Sequence, residues 1–208
     1  MTRGWPVTLT AGEVGLRPLA RRDGAAWQEV RGRNRQWLDP WEATSPFGAP
    51  GKLAYGKLLK RLGAGVRRGE LMPFAVTYGG RFVGQLTVAN ILWGSACSAT
   101  IGYWVDRAVA GRGVMPTAVA LATDHCFGAV GLHRIEINIR PENTASLRVV
   151  EKLGFRDEGI RLRLLHINGA WADHRSYALT AGEVADGLLA RWQAAQASPH
   201  GDQGTLAP

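Results

Sequence analysis

The sequence predicts an α/β domain of the α+β kind: a mixed, mostly antiparallel sheet with one central parallel strand pair and flanking helices. Three observations predict it. Met72–Tyr78, Phe82–Ile91 and Ser98–Val105 are strand-like runs joined by short connections, the first of them a Gly79-Gly80 turn, which makes an antiparallel meander. A helical pattern from about Met115 to Val130 separates Ser98–Val105 from Arg134–Arg140, so strand, helix and strand form a right-handed parallel crossover. A last hairpin runs Gly159–Ile167, turns at Asn168-Gly169 and returns over Trp171–Leu179.

The elements follow in order. Val14–Leu19 reads as a strand after a turn at Ala11-Gly12, and Asp23–Arg33 as a helix. Pro40 predicts a loop over Trp37–Glu42, with Pro46 and Pro50 soon after. A basic helix is expected from roughly Gly51 to Arg68, its leucines at helical spacing. In the crossover helix, Met115, Ala118, Val119, Ala122, Cys126 and Phe127 form one apolar stripe. Arg134–Arg140 alternates, with Ile135, Ile137 and Ile139 on one face. Thr144–Leu153 is a short helix closed by Gly154. Thr180 and Glu183 have capping-box spacing before a helix that holds Leu188, Leu189 and Trp192. Residues 1–195 are expected to form one domain and 196–208 a frayed tail.

Composition excludes several classes. With 208 residues, 46% of them apolar and 20% charged, the chain can bury a core, which excludes a disordered protein. No uninterrupted apolar run follows Met1, and Asp124 and His125 interrupt the most apolar window, Gly113–Leu132, so neither a signal peptide nor a membrane helix is expected. Two cysteines, Cys97 and Cys126, form no disulfide framework, which points to the cytoplasm. The five histidines show no ligand spacing, and no metal is expected. The net charge of +8 calls for an anionic partner, and +7 of it lies before Leu71. Much of that excess sits in the run Lys52 to Arg68, which reads as a solvated helix face or as a contact for RNA.

Gly111-Arg112-Gly113 lies between a strand and a helix start, where free N–H groups and the helix dipole attract phosphate. It is neither a Walker loop nor a dinucleotide fingerprint. Together with Ile101–Asp106, Arg140–Ser146 and Glu151–Phe155 it closely resembles the GNAT acetyltransferase superfamily. With Asn34–Glu42 upstream, the chain looks like the RimJ/RimL-type N-acetyltransferases that act on ribosomal proteins. The resemblance spans about Leu16 to Leu179.

The resemblance implies a set of roles. Acetyl-CoA would lie between two splayed parallel strands, Ser98–Val105 and Arg134–Arg140, its pantetheine pairing against Tyr103, Trp104 and Val105. The pyrophosphate would rest on the N–H groups of Ala110, Gly111, Arg112, Gly113, Val114 and Met115. Ala108 stands where the family has Gln or Arg, which removes one side-chain contact. Asn143 and Ser146 match the family's Asn-x-x-Ser, with Ser146 as donor to the leaving thiolate and Tyr177 as runner-up. Capping of the Thr144–Leu153 helix would equally explain Asn143. Glu42 would orient the incoming ammonium or accept its proton, with Glu70 and Asp173 as other candidates, and Trp37, Trp41 and Asp173 would border the acceptor. The expected acceptor is the α-amine of a protein N-terminus, ribosomal by the resemblance. Small amines such as an antibiotic or polyamine, and a non-catalytic basic acyl-CoA-binding module, are the alternatives. A monomer or homodimer is expected.

Overall fold

A computed structural model describes residues 3–47 and 54–197. β1 (Leu9–Ala11) and β2 (Val14–Pro18) form a hairpin whose first strand, only three residues long, the sequence reading missed. α1 (Gly24–Arg33) follows. Trp37–Glu42 is not a loop: α2 (Arg35–Leu38) runs into a 3₁₀ turn, Asp39–Trp41, with Pro40 in its first positions. Proline is tolerated there because the N–H it lacks would have no helical partner. α3 (Tyr55–Arg68) carries the basic run, and Lys52 and Leu53 lie outside the described residues.

β3 (Met72–Tyr78), β4 (Arg81–Leu92) and β5 (Ser98–Val105) are the expected meander. α4 (Val114–His125) ends in a wide π turn, Cys126–Val130. β6 (Arg134–Ile139) then pairs parallel with β5. α5 (Thr144–Leu153), β7 (Arg156–Ile167), β8 (Ala170–Thr180) and α6 (Leu188–Ala197) complete the chain. α6 extends two residues past the expected boundary, and the remaining tail lies outside the described residues. The eight strands form one sheet in the order β1-β2-β3-β4-β5-β6-β8-β7.

The sheet is covered on both faces. On one, the stripe of α4, with Val149, Val150 and Leu153 of α5 and Leu188 and Trp192 of α6, packs on Phe74, Leu86, Val88, Ile101 and the β6 isoleucines. On the other, α1 and α3 cover a smaller cluster around Leu19, Val30, Tyr55, Ala75 and Phe82. Asp124, the charge inside the apolar window, accepts the first N–H groups of α6, at 2.6 Å from Leu188 and 2.9 Å from Leu189. The carboxylate of Glu183 closes instead on Thr180 ahead of a separate 3₁₀ turn, so the expected cap belongs to that turn and not to α6. Among the described residues no helix is long and apolar enough to cross a membrane.

Candidate active site

β5 and β6 pair only over Ser98–Thr100 and Arg134–Glu136, and beyond Thr100 they part. On its other side β5 stays bound to β4, and closely: a Cβ on Gly84 would stand 2.3 Å from the Trp104 carbonyl oxygen. That carbonyl faces β4, so by strand alternation Tyr103 and Val105 turn their backbone groups into the gap. Val105 oxygen already accepts the Trp37 indole N–H at 3.2 Å. The side chains of Tyr103 and Trp104 leave opposite faces of the sheet, yet both line one cavity of about 690 Å³. The cavity therefore passes through the sheet where the strands separate, and joins two unlike arms.

One arm ends at the start of α4. Gly113 caps that helix with φ +77° and no side-chain hydrogen bond, and Gly111 has φ +82°. A helix begins with orphan N–H groups, and Pro116 at the third position has none to offer, which leaves Gly113, Val114 and Met115 as donors. No side chain fills the space a Cβ would take at Gly111. Arg148 and Lys152, one turn apart on α5, add two cations to the walls. Asn143 caps α5 by accepting the Ser146 N–H at 3.1 Å. The Ser146 hydroxyl lines the cavity and makes no hydrogen bond among the described residues. Open N–H groups, flanking cations and a free strand edge fit a pyrophosphate carried on an amide-bearing arm.

The other arm is made of side chains from α1, α2 and the 3₁₀ turn. Asn34 ties that junction to the end of β5: its amide donates to Val30 oxygen at 2.8 Å and Asp106 at 2.9 Å, and its oxygen accepts Arg107 N–H at 3.0 Å. Burial works against the Asp106 charge, but hydrogen bonds from Arg33, Asn34 and Ala108 outweigh it and hold the carboxyl below its ordinary value. The segment after α2 is pinned elsewhere. Arg140 stacks 5.7 Å from the Trp41 ring, Asn168 donates to Asp39 oxygen at 2.9 Å, and Thr44 N–H reaches His166 oxygen at 2.8 Å. Glu42 is paired with Arg31 at 2.5 Å. The Arg31 guanidinium lies 5.2 Å from the Trp27 ring and 5.3 Å from the Trp104 ring, which fixes its position. Glu42 is the only carboxylate among the described residues that line the cavity.

Of the residues singled out from sequence, Trp37, Trp41, Glu42, Tyr103, Trp104, Val105, Ala110, Gly111, Gly113, Val114, Met115, Asn143 and Ser146 line this cavity. Arg112 is exposed and does not. Tyr177 sits in the core at 4% exposure and does not line the cavity, which separates it from the site, and burial raises its phenol above the ordinary value. Asp173 is exposed and bonds to Arg163 N–H at a bulge between β7 and β8. Glu70 is held by Arg68. Cys126 is buried and its thiol is pushed up to about 12. Sequence reasoning missed Arg31, Arg148 and Lys152. The one-turn spacing of the last two was the available signal, whereas nothing local marks Arg31.

A sheet that parts at its parallel strand pair, with free N–H groups at the start of the helix between those strands, defines an acyltransferase fold with room for an acyl carrier. Comparison with known proteins agrees. Residues 13–156 match the acetyltransferase (GNAT) domain. Mycobacterium smegmatis RimJ, solved in complex with CoA-disulfide, is 41% identical, with a TM-score of 0.88 over 94% of this chain and 98% of that one. The [ribosomal protein uS5]-alanine N-acetyltransferase of Escherichia coli is 27% identical over 87% of this chain and 94% of its own length. The probable N-acetyltransferase YjcK of Bacillus subtilis is 42% identical over 48% of this chain, and the match spans 55% of YjcK. The chain belongs to the GNAT acetyltransferase family, and within it is similar to the RimJ/RimL group.

Proposed function

We propose that the protein transfers the acetyl group of acetyl-CoA directly to the α-amine of a protein N-terminus, with a ribosomal protein as acceptor. The observation that carries this is the composition of the acceptor arm: one carboxylate, already paired with Arg31, and no histidine among its described lining residues. A reaction without a strong base suits an acceptor that needs none. With reference pKa values near 8 and 10.4, roughly 10% of an α-amine but only about 0.04% of a lysine is neutral at pH 7. The similarity to RimJ and to the uS5-alanine enzyme supports a ribosomal acceptor.

Acetyl-CoA supplies the acetyl thioester. The N–H groups of Gly113, Val114 and Met115, with Arg148 and Lys152, hold its phosphates, and the gap edge of β5 aligns its amide arm. Glu42 binds the acceptor ammonium, which loses a proton to water before its nitrogen attacks the thioester carbon. As the carbon–sulfur bond breaks, Ser146 gives its hydroxyl proton to the departing sulfur and recovers one from the acetylated nitrogen through solvent. On α3, Lys57, Lys60, Arg61 and Arg67 are exposed and form no ion pair among the described residues, which supports an RNA contact beside the acceptor. The protein is expected to act in the cytoplasm.

Mass spectrometry after incubation with acetyl-CoA and matched peptides tests the reading. Peptides with a free N-terminus should gain one acetyl group whether or not they contain lysine, and N-terminally blocked ones none. Transfer only to lysine, or only to small amines, contradicts it.

A further inference from the structure

A second cavity, of about 300 Å³, lies between α1 and α3 and shares Arg31 and Glu42 with the first as a common wall. Trp27, Tyr55 and Leu58 give it an apolar side, Arg35 and Asp39 join Arg31 and Glu42 as its charged side, and Gln28 and Gly32 stand on its exposed rim. We infer that this cavity binds the acceptor chain beyond its first residue, taking an apolar side chain from the second or third position. The inference rests on the reading of the acceptor as a protein N-terminus.

The course of the chain follows from what the other walls do. An amine held at Glu42 faces the gap between β5 and β6, and the donor arm lies beyond that gap. The segment from Trp37 to Thr44 closes another side, since Val105, Arg140 and the β7–β8 turn pin it. The second cavity lies on the far side of the Arg31–Glu42 pair, so Glu42, where the amine is held, borders both. Its volume falls at the lower end of ligand clefts, which run from roughly 300 to 1,000 Å³, so it suits a side chain or two and not a second cofactor. Arg31 is only 18% exposed at this junction, while Glu42 is 45% exposed and reachable from both cavities. A small amine would leave the second cavity empty. The two acceptor classes therefore differ in whether it matters.

Gly32 allows the cavity to be filled without disturbing the fold. A Cβ there meets nothing within 4 Å, and replacing a helical glycine favours the helix. The experiment uses the full chain, acetyl-CoA, a hexapeptide with a free N-terminus and an apolar second residue, and the amide of its first residue alone. In Gly32→Phe the ratio of kcat/KM for the hexapeptide to that for the amide should fall tenfold or more. Gln28→Trp, on the same rim, should move the ratio the same way and serves if Gly32→Phe fails to fold. An unchanged ratio in the folded variants overturns the inference while leaving the α-amine reading intact. A wild-type protein that acetylates the amide and not the hexapeptide overturns that reading itself, and the inference with it.

Discussion

The two arms of the cavity are built from different materials. The arm proposed for the donor offers mainly peptide groups, namely the uncapped start of α4, two glycines with positive φ, and the edge that β5 exposes once β6 turns away, with Arg148 and Lys152 beside them. The arm proposed for the acceptor is lined by side chains, Trp37, Trp41, Arg31 and Glu42, with Asn34 tying α1 and α2 to Asp106 and with Arg140 and Asn168 pinning the segment after them. A backbone site tolerates most substitutions as long as the local conformation survives. A side-chain site changes with each residue, so one frame can keep its donor and alter its acceptor.

That contrast can be broken first at the donor arm, where within the glycine loop a backbone change should matter more than loss of a side chain. Gly113→Val forces a β-branched residue to φ +77°, a conformation that costs roughly 1–3 kcal/mol. If the helix start relaxes to escape that strain, acetyl-CoA affinity measured by calorimetry should fall about 100-fold or more. Arg112→Ala in the same loop should leave it within about twofold. Equal losses in the two variants would show that side chains hold the donor after all.

Ser146→Ala should have a smaller effect, because in the proposed mechanism its hydroxyl serves only the step, while the Asn143 bond goes to its N–H. We expect kcat to fall about tenfold, with acetyl-CoA affinity within twofold. Unchanged turnover would remove Ser146 from the mechanism.

Acid should have the weakest effect of the three, and it should fall on the stability of the fold, since neither His174 nor His125 lines the cavity. His174 is buried on β8, bonded through Nδ1 to the Ala172 carbonyl, and burial lowers its pKa, with Arg140 nearby lowering it further. A group whose folded value is depressed adds stability above its unfolded pKa, near 6.5, and that stability is lost as pH falls. Asp106 follows the same sign from a lower starting point, near 3.8. His125 on α4 shifts in the same direction as His174. Tm should therefore drop between pH 7 and pH 5, and drop less in His174→Asn, which keeps a donor for Ala172 and does not titrate in this range. Identical drops in both proteins would exclude His174 as a source.

What the sequence disclosed follows the same division. The donor arm is local: alternation at Ile135, Ile137 and Ile139 marks β6, glycines mark the loop before α4, and Asn143 marks the start of α5, each within a few residues. The acceptor arm depends on distant pairs. Asn34 meets Asp106 across 72 positions, and Arg31 lies between Trp27 and Trp104, neither of which a spacing rule reaches. Pro40 was misread because a proline stops a helix from within but is compatible with its first turn. Tyr177 stood out as a hydroxyl, although strand alternation places it beside Ile137 on the face that packs on α4 and α5.

The most direct test of the division of labour is Glu42→Gln, which keeps the shape of the side chain and removes its charge. Acetyl-CoA affinity by calorimetry and kcat/KM for a peptide α-amine would be measured on the same preparation. Separate arms predict an acetyl-CoA affinity within about twofold of the wild type and a kcat/KM lower by at least tenfold. A variant that loses acetyl-CoA affinity to the same degree as it loses kcat/KM, or loses neither, would contradict it.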